Sequence, residues 1–142
     1  MAEGFDKCVN ILFQVGEYIP PTFSEEIYRD EVVLVKKLLK GISRKELLSL
    51  PLMTDSRKLA AMQFLNHALS LTYICNPSLN PIIVFRMVKL SIQHGVCNIS
   101  AFAFACYGGW LVSAPCSDFE GGYRMGRVAT EMMKRLNATE VC

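Results

Sequence analysis

Apolar side chains recur along this chain at helical spacing, and no segment shows the two-residue alternation of a strand bounded by turn residues. The first segment, residues 3–17, puts Phe5, Cys8, Val9 and Leu12 on one face and Glu3, Lys7, Asn10, Gln14 and Glu17 on the other. Ile19-Pro20-Pro21 stops it, and Thr22 followed by Glu25 predicts a capping box for a second helix. In that helix the acids Glu25, Glu26, Asp30 and Glu31 come first and the bases Lys36, Lys37 and Lys40 come last, ahead of Gly41. This order complements the helix dipole. Ser43-Arg44-Lys45-Glu46 is a second capping box, opening a short helix that Pro51 ends.

Thr54 is the expected cap of a fourth helix reaching about Cys75, with Met62, Leu65, Leu69 and Tyr73 as the apolar stripe and Gln63, Asn66, His67 and Ser70 opposite. Asn80-Pro81 opens a fifth that runs to Gly95; its only polar stripe is Arg86, Lys89 and Gln93, so most of its circumference is expected to be covered. The sixth, from Ser100 to about Ala114, is uncharged and rich in small residues. It is expected to be the most buried element, with Gly108 and Gly109 meeting Gly122 and Gly126. Pro115 ends it, and Ser117 or Asp118 caps a seventh that finishes near Lys134 and Arg135. The sum is an all-α fold of seven helices in one domain, residues 1–142, with short connections that predict antiparallel hairpins between consecutive helices.

Composition narrows the partners. Hydrophobic residues make up 51% of the 142, which excludes intrinsic disorder. The net charge is +2 and no run of four basic residues occurs, so nucleic acid is not an expected partner. From Leu90 to Ser117 there is no Asp, Glu, Lys or Arg, but His94, Gly95, Asn98, Ser100 and Gly108 interrupt the stretch, and no membrane-spanning run results. Acids precede any apolar run at the N-terminus, the wrong order for a signal peptide, so the cytoplasm is the expected location.

The six cysteines form neither C-x-x-C nor a zinc spacing, so no metal and no cofactor is expected. His67 falls on the polar stripe of its helix and His94 beside a helix C-terminus, where packing and the dipole account for them. Paired carboxylates at Glu25-Glu26 and Asp30-Glu31 lie on an exposed helix. No catalytic residue is assigned, although Cys106 or Cys97 with a histidine would be the components of a small enzyme.

Two stretches carry a resemblance. Ser117-Asp118-Phe119-Glu120-Gly121-Gly122-Tyr123, continuing to Gly126-Arg127-Val128-Ala129, resembles the junction between helices of a tetratricopeptide repeat. Pro51-Leu52-Met53-Thr54-Asp55 with Lys58-Leu59-Ala60-Ala61-Met62, Asn76-Pro77-Ser78-Leu79, Arg86 to Ile92 with Gly95, and Ser100 to Gly108 together resemble a more particular region. It is the tetratricopeptide-like helical region that follows the AAA-type ATPase of the signal-transduction class in large serine/threonine kinase and histidine kinase signalling proteins. The resemblance spans roughly residues 1–137 and implies a tetratricopeptide-like superhelix, cut from a longer chain, that serves as a non-enzymatic interaction or linker module. No phosphate loop, kinase Gly-rich loop or H-R-D is present, so the nucleotide-binding modules of such a protein lie outside these residues.

The expected partner is a protein, either a neighbouring domain of the parent chain or a peptide. Arg86 and Lys89 lie one turn apart on an apolar helix, where they are placed to grip a carboxylate, and Tyr107, Trp110 and Tyr123 are expected to line the same groove. The alternative is a helical sensor holding a small ligand between the fifth and seventh helices.

Overall fold

The computed structural model describes the backbone of residues 2–20, 22–113 and 116–141. Among these the fold is all-α: α1 (Ala2–Gln14), α2 (Glu25–Lys40), α3 (Arg44–Leu48), α4 (Ser56–Cys75), a 3-10 turn (Pro77–Leu79), α5 (Asn80–His94), α6 (Ser100–Val112) and α7 (Phe119–Val141). The stops assigned to Pro21 and Pro115 lie outside the described residues. No described helix is long and apolar enough to cross a membrane.

The helix starts follow local hydrogen-bond chemistry, though not always at the residue first expected. Ser43 Oγ accepts the Glu46 N–H at 3.1 Å, as its capping box predicts. For α2 the cap is Ser24, whose Oγ takes the Ile27 N–H, and for α4 it is Asp55, whose carboxylate takes the Arg57 N–H at 2.9 Å. Both displace the expected threonine caps, Thr22 and Thr54, by one or two positions. Asp118 caps α7 by accepting the Gly121 N–H at 2.8 Å. Asn80 turns away from its own helix and donates to Leu69 O and Thr72 Oγ1, tying the start of α5 to the end of α4.

Consecutive hairpins describe only the second half of the chain, where α4, α5, α6 and α7 pack each on the next. In the first half α1 lies against α4, α2 against α5, and α3 against α7. The antiparallel pairing expected between α1 and α2 is therefore replaced by packing across the bundle. The core explains why: Phe5, Cys8 and Leu12 of α1 and Val35 of α2 join the same continuous cluster as Ala61, Met62 and Leu65 of α4 and Ile82, Phe85 and Met87 of α5. Apolar area is buried most fully where these stripes converge.

The most enclosed helix is α5, not α6. It exposes only Gln93 and His94, while α6 exposes Phe102, Ala105, Gly109 and Val112. The glycines of α6 divide accordingly. A Cβ on Gly108 would lie 3.1 Å from both Gly122 O and Met125 Cβ, so this glycine lets α6 and α7 cross closely, with Gly122 as its counterpart. Gly109 and Gly126 have open space where a Cβ would stand and take no part in that approach. At the α5–α6 corner Ser91 Oγ and Ser100 Oγ lie 2.7 Å apart and Ser100 Oγ accepts the Cys97 N–H at 3.0 Å, so two fully buried hydroxyls are satisfied.

Among the described residues there is a single non-helical ladder contact. Val96 N donates to Pro51 O and Met53 N to Val96 O, forming an isolated parallel bridge between Leu52 and Val96. Gly95 makes it possible: its φ of 100° is left-handed, and a Cβ there would fall 2.6 Å from Pro51 O.

Candidate functional site

Of the residues expected to share one groove, the fold brings Tyr107 and Trp110 together and sets the others apart from them. Arg86 does meet carboxylates, but they belong to this chain. Its Nε stands 2.9 Å from Glu31 Oε1 of α2 and its Nη1 3.8 Å from Glu17 Oε2 in the α1–α2 connection, while Lys58 Nζ of α4 lies 3.4 Å from Glu17 Oε1. Two cations and two carboxylates thus form a chain inside the bundle, with Glu17 and Glu31 each 7% exposed. Glu17, read from periodicity as a solvent-facing residue, is one of its members. The Arg86–Glu31 approach has ion-pair distance without hydrogen-bond direction, so Arg86 Nε has no hydrogen-bond partner, and neither has the other carboxylate oxygen, Glu31 Oε2. The Arg86 guanidinium is thus largely buried against carboxylates of its own chain. Lys89 is half-buried and makes no ion pair among the described residues.

Tyr107 and Trp110 belong to an aromatic cluster that fastens α6 to α5 and α2. Trp110 packs edge-on to Phe85 with centroids 4.8 Å apart, stacks on Tyr107 at 5.7 Å, and donates from Nε1 to Tyr28 Oη at 3.1 Å. Burial, with smaller contributions from Cys116 and Asp118, pushes the Tyr107 hydroxyl up to about 12. Tyr123 is exposed on α7, where its hydroxyl accepts from Arg127 Nη1 at 3.3 Å. The three aromatics border three different depressions.

One of these has the make-up of a binding groove. It encloses about 530 Å³ between the C-terminal half of α2, α3, and the facing sides of α6 and α7. Leu39 and Ile42 of the α2–α3 corner and Leu47 of α3 form one apolar wall. Tyr107 and Leu111 of α6, with Met125 and Val128 of α7, form the other and the floor. Four cations, Lys36, Lys40, Arg44 and Arg124, line it with a single carboxylate, that of Asp118. That carboxylate is already engaged as the cap of α7.

The fold holds this groove open through contacts far apart in sequence. Arg44 pairs with Glu131 of α7, and Arg135 of α7 reaches back to the carbonyls of Leu48 and Leu50, so α3 is strapped across α7 from outside. Leu47 is buried at that seam. Lys36 rests over the Trp110 ring at 5.8 Å, which keeps its ammonium at the groove's edge. Lys40 makes no ion pair among the described residues, and the Arg124–Glu120 pair is exposed. Periodicity explains why these residues escape a sequence reading: Lys36 and Lys40 look like dipole partners at a helix end, and only the α3–α7 contact makes them neighbours of Arg124.

A second depression of about 550 Å³ lies between α4, α5 and α6, bordered by Leu69, Tyr73, Val84, Phe102, Cys106 and Trp110. Tyr73, expected on the apolar stripe of its helix, is 76% exposed at its rim. The space expected between the fifth and seventh helices is filled by α6. Burial raises the Cys106 thiol above its ordinary value, as it does for Cys8, which lowers the thiolate fraction at neutral pH. His67 and His94 are both exposed. The described residues contain no group of three or more His, Cys, Asp or Glu arranged to hold a metal ion.

Comparison with protein-family models, with curated proteins and with solved structures finds no match to this chain.

Proposed function

We propose that this chain is a non-enzymatic, tetratricopeptide-like helical module that holds a protein segment, either a neighbouring part of a longer signalling chain or a separate peptide, in the groove between α2–α3 and α6–α7. The observation that carries this reading is the groove itself: a cleft between helices whose part-exposed apolar wall is Leu39 and Ile42, framed by cations and bounded by the helix α3 that Arg44 and Arg135 tie to α7. A concave apolar surface between helices is a common seat for a peptide helix. The resemblance of residues 51–108 to the helical region beside signal-transduction ATPases supports a linking role between domains. The proposal places the chain in the cytoplasm, where thiols such as Cys8 and Cys97 stay reduced.

The test is selection of binders from a random peptide-display library against the folded chain, followed by methyl NMR of the complexes. Bound peptides are expected to shift the methyl resonances of Leu39, Leu111 and Val128. Selection of no peptide, or shifts confined to the surface around Phe102 and Cys106, would refute the assignment.

A further inference from the structure

We infer that the outward face of α6 is a self-association surface, where a second copy of this chain docks its own α6 antiparallel about a two-fold axis. The face shares no residue with the lining of the groove between α2–α3 and α6–α7. It consists of Phe102, Ala105, Gly109 and Val112, spaced by three, four and three residues, so they lie along one side of the helix. All four are exposed, Phe102 to 49% and Val112 to 38%. α6 carries no charged residue on any side. A helix that is apolar all round is suited to a place where every side is covered, and among the described residues nothing covers this one.

Charge and shape select the second copy. No Asp, Glu, Lys or Arg occurs from Leu90 to Ser117, so a charged partner finds nothing to pair with along α6, whereas an identical face matches it in charge and in size. Antiparallel docking about the middle of the helix sets Phe102 of one copy opposite Val112 of the other, and Ala105 opposite Gly109. Large residues then meet at the two ends and small ones at the crossing. A Cβ on Gly109 would meet none of the described atoms within 4 Å, so the helix surface is low where the second backbone must approach. The apolar surface continues past both ends of the face. Tyr73 is 76% exposed on the rim of the depression that Phe102 also borders, and Phe119 is 67% exposed beside Asp118, whose N–H donates to Leu111 O at the end of α6. Together these side chains offer roughly 500 Å² per copy, or about 1,000 Å² over both, the lower edge of specific interfaces. The dimer is therefore expected to form at roughly 10 to 100 μM and to come apart in the dilute solutions used for thermal melts.

The test is sedimentation equilibrium of the full 142-residue chain over roughly 5 to 500 μM. The mean mass is expected to rise from one chain toward two and to stop there. Ala105→Glu and Gly109→Lys, both at exposed positions, should each weaken self-association about tenfold or more, with unchanged circular dichroism verifying the fold. Mixing the two variants in equal amounts should restore a dimer, because the two-fold geometry brings the new carboxylate against the new ammonium. Phe13→Glu, on α1 and more exposed than Phe102, is the control and should leave the association unchanged. One-chain mass at every concentration would overturn the inference, as would association that Ala105→Glu does not weaken or that Phe13→Glu weakens equally. Growth beyond two chains, or no recovery on mixing, would overturn the two-fold docking. A chain that stays monomeric and instead floats with phosphatidylcholine vesicles would assign the face to a bilayer and overturn it too.

Discussion

Arg86 Nε lies 2.9 Å from Glu31 Oε1 inside the helical bundle, and the same guanidinium reaches Glu17 at 3.8 Å. One residue of α5 therefore neutralises charge from α2 and from the α1–α2 connection, and Lys58 extends the chain to α4. Buried ion pairs of this kind add little net stability over an apolar replacement, but removing one member leaves charge without compensation.

Arg86→Met is accordingly expected to destabilise the fold by about 3 to 5 kcal/mol, because the buried Glu31 loses its partner and Glu17 keeps only Lys58. Adding Glu31→Leu and Glu17→Gln to it should recover most of that loss. Urea denaturation of the single and triple variants measures both numbers. A neutral single variant would show that water reaches these groups freely.

The two adjacent glycines of α6 should part company. Gly108→Leu is expected to cost about 1 to 3 kcal/mol by forcing α6 from Gly122 and Met125. Gly109→Ala meets open space and should stabilise by up to about 1 kcal/mol through helix propensity alone. Thermal melts of the pair decide it, and equal effects at both positions would contradict the close α6–α7 crossing.

Gly95→Ala is expected to cost about 2 kcal/mol or more, since alanine must adopt a left-handed φ and its Cβ would collide with the Pro51 carbonyl. Gly41→Ala is the control: its φ is −83° and the nearest atoms to a Cβ are 3.7 Å away, so it should be close to neutral. Denaturant midpoints separate the two. A Gly95 variant as stable as the control would mean that the Leu52–Val96 bridge contributes nothing.

The buried Tyr107 hydroxyl predicts a loss of stability in alkali. Its folded value is raised to about 12 from an ordinary 10.0, so the folded state keeps a proton that the unfolded chain has lost. The stabilisation is complete below pH 10.0 and disappears as pH rises toward about 12, amounting to roughly 2 to 3 kcal/mol at most. Tyr107→Phe should flatten that part of the stability profile, and an ultraviolet difference titration should find one late-titrating tyrosine. Titration of every tyrosine near the ordinary value would remove the basis for this prediction.

Helix positions were readable because they depend on neighbours in sequence. The Ser43 cap, the short α3, the Asp118 cap and the breaks at Gly41 and Asn76 all follow from hydrogen bonds and dihedral preferences that span a few residues. The apolar stripe Met62, Leu65 and Leu69 was equally plain, since burial on one face imposes its own period. What periodicity alone could not specify was which stripe meets which. Glu17 looked solvated and is buried, because the Arg86 that draws it inward sits 69 positions later in the chain. Tyr73 looked buried and is exposed, because α4 meets α1 and α5 along a narrower strip than its apolar residues would allow. Gly108 and Gly109 are identical in sequence terms, and only the side on which α7 crosses makes one of them necessary. The groove is the extreme case: Lys40 and Arg124 become neighbours through the docking of α3 on α7, a contact set by long-range packing and by two arginines reaching across it.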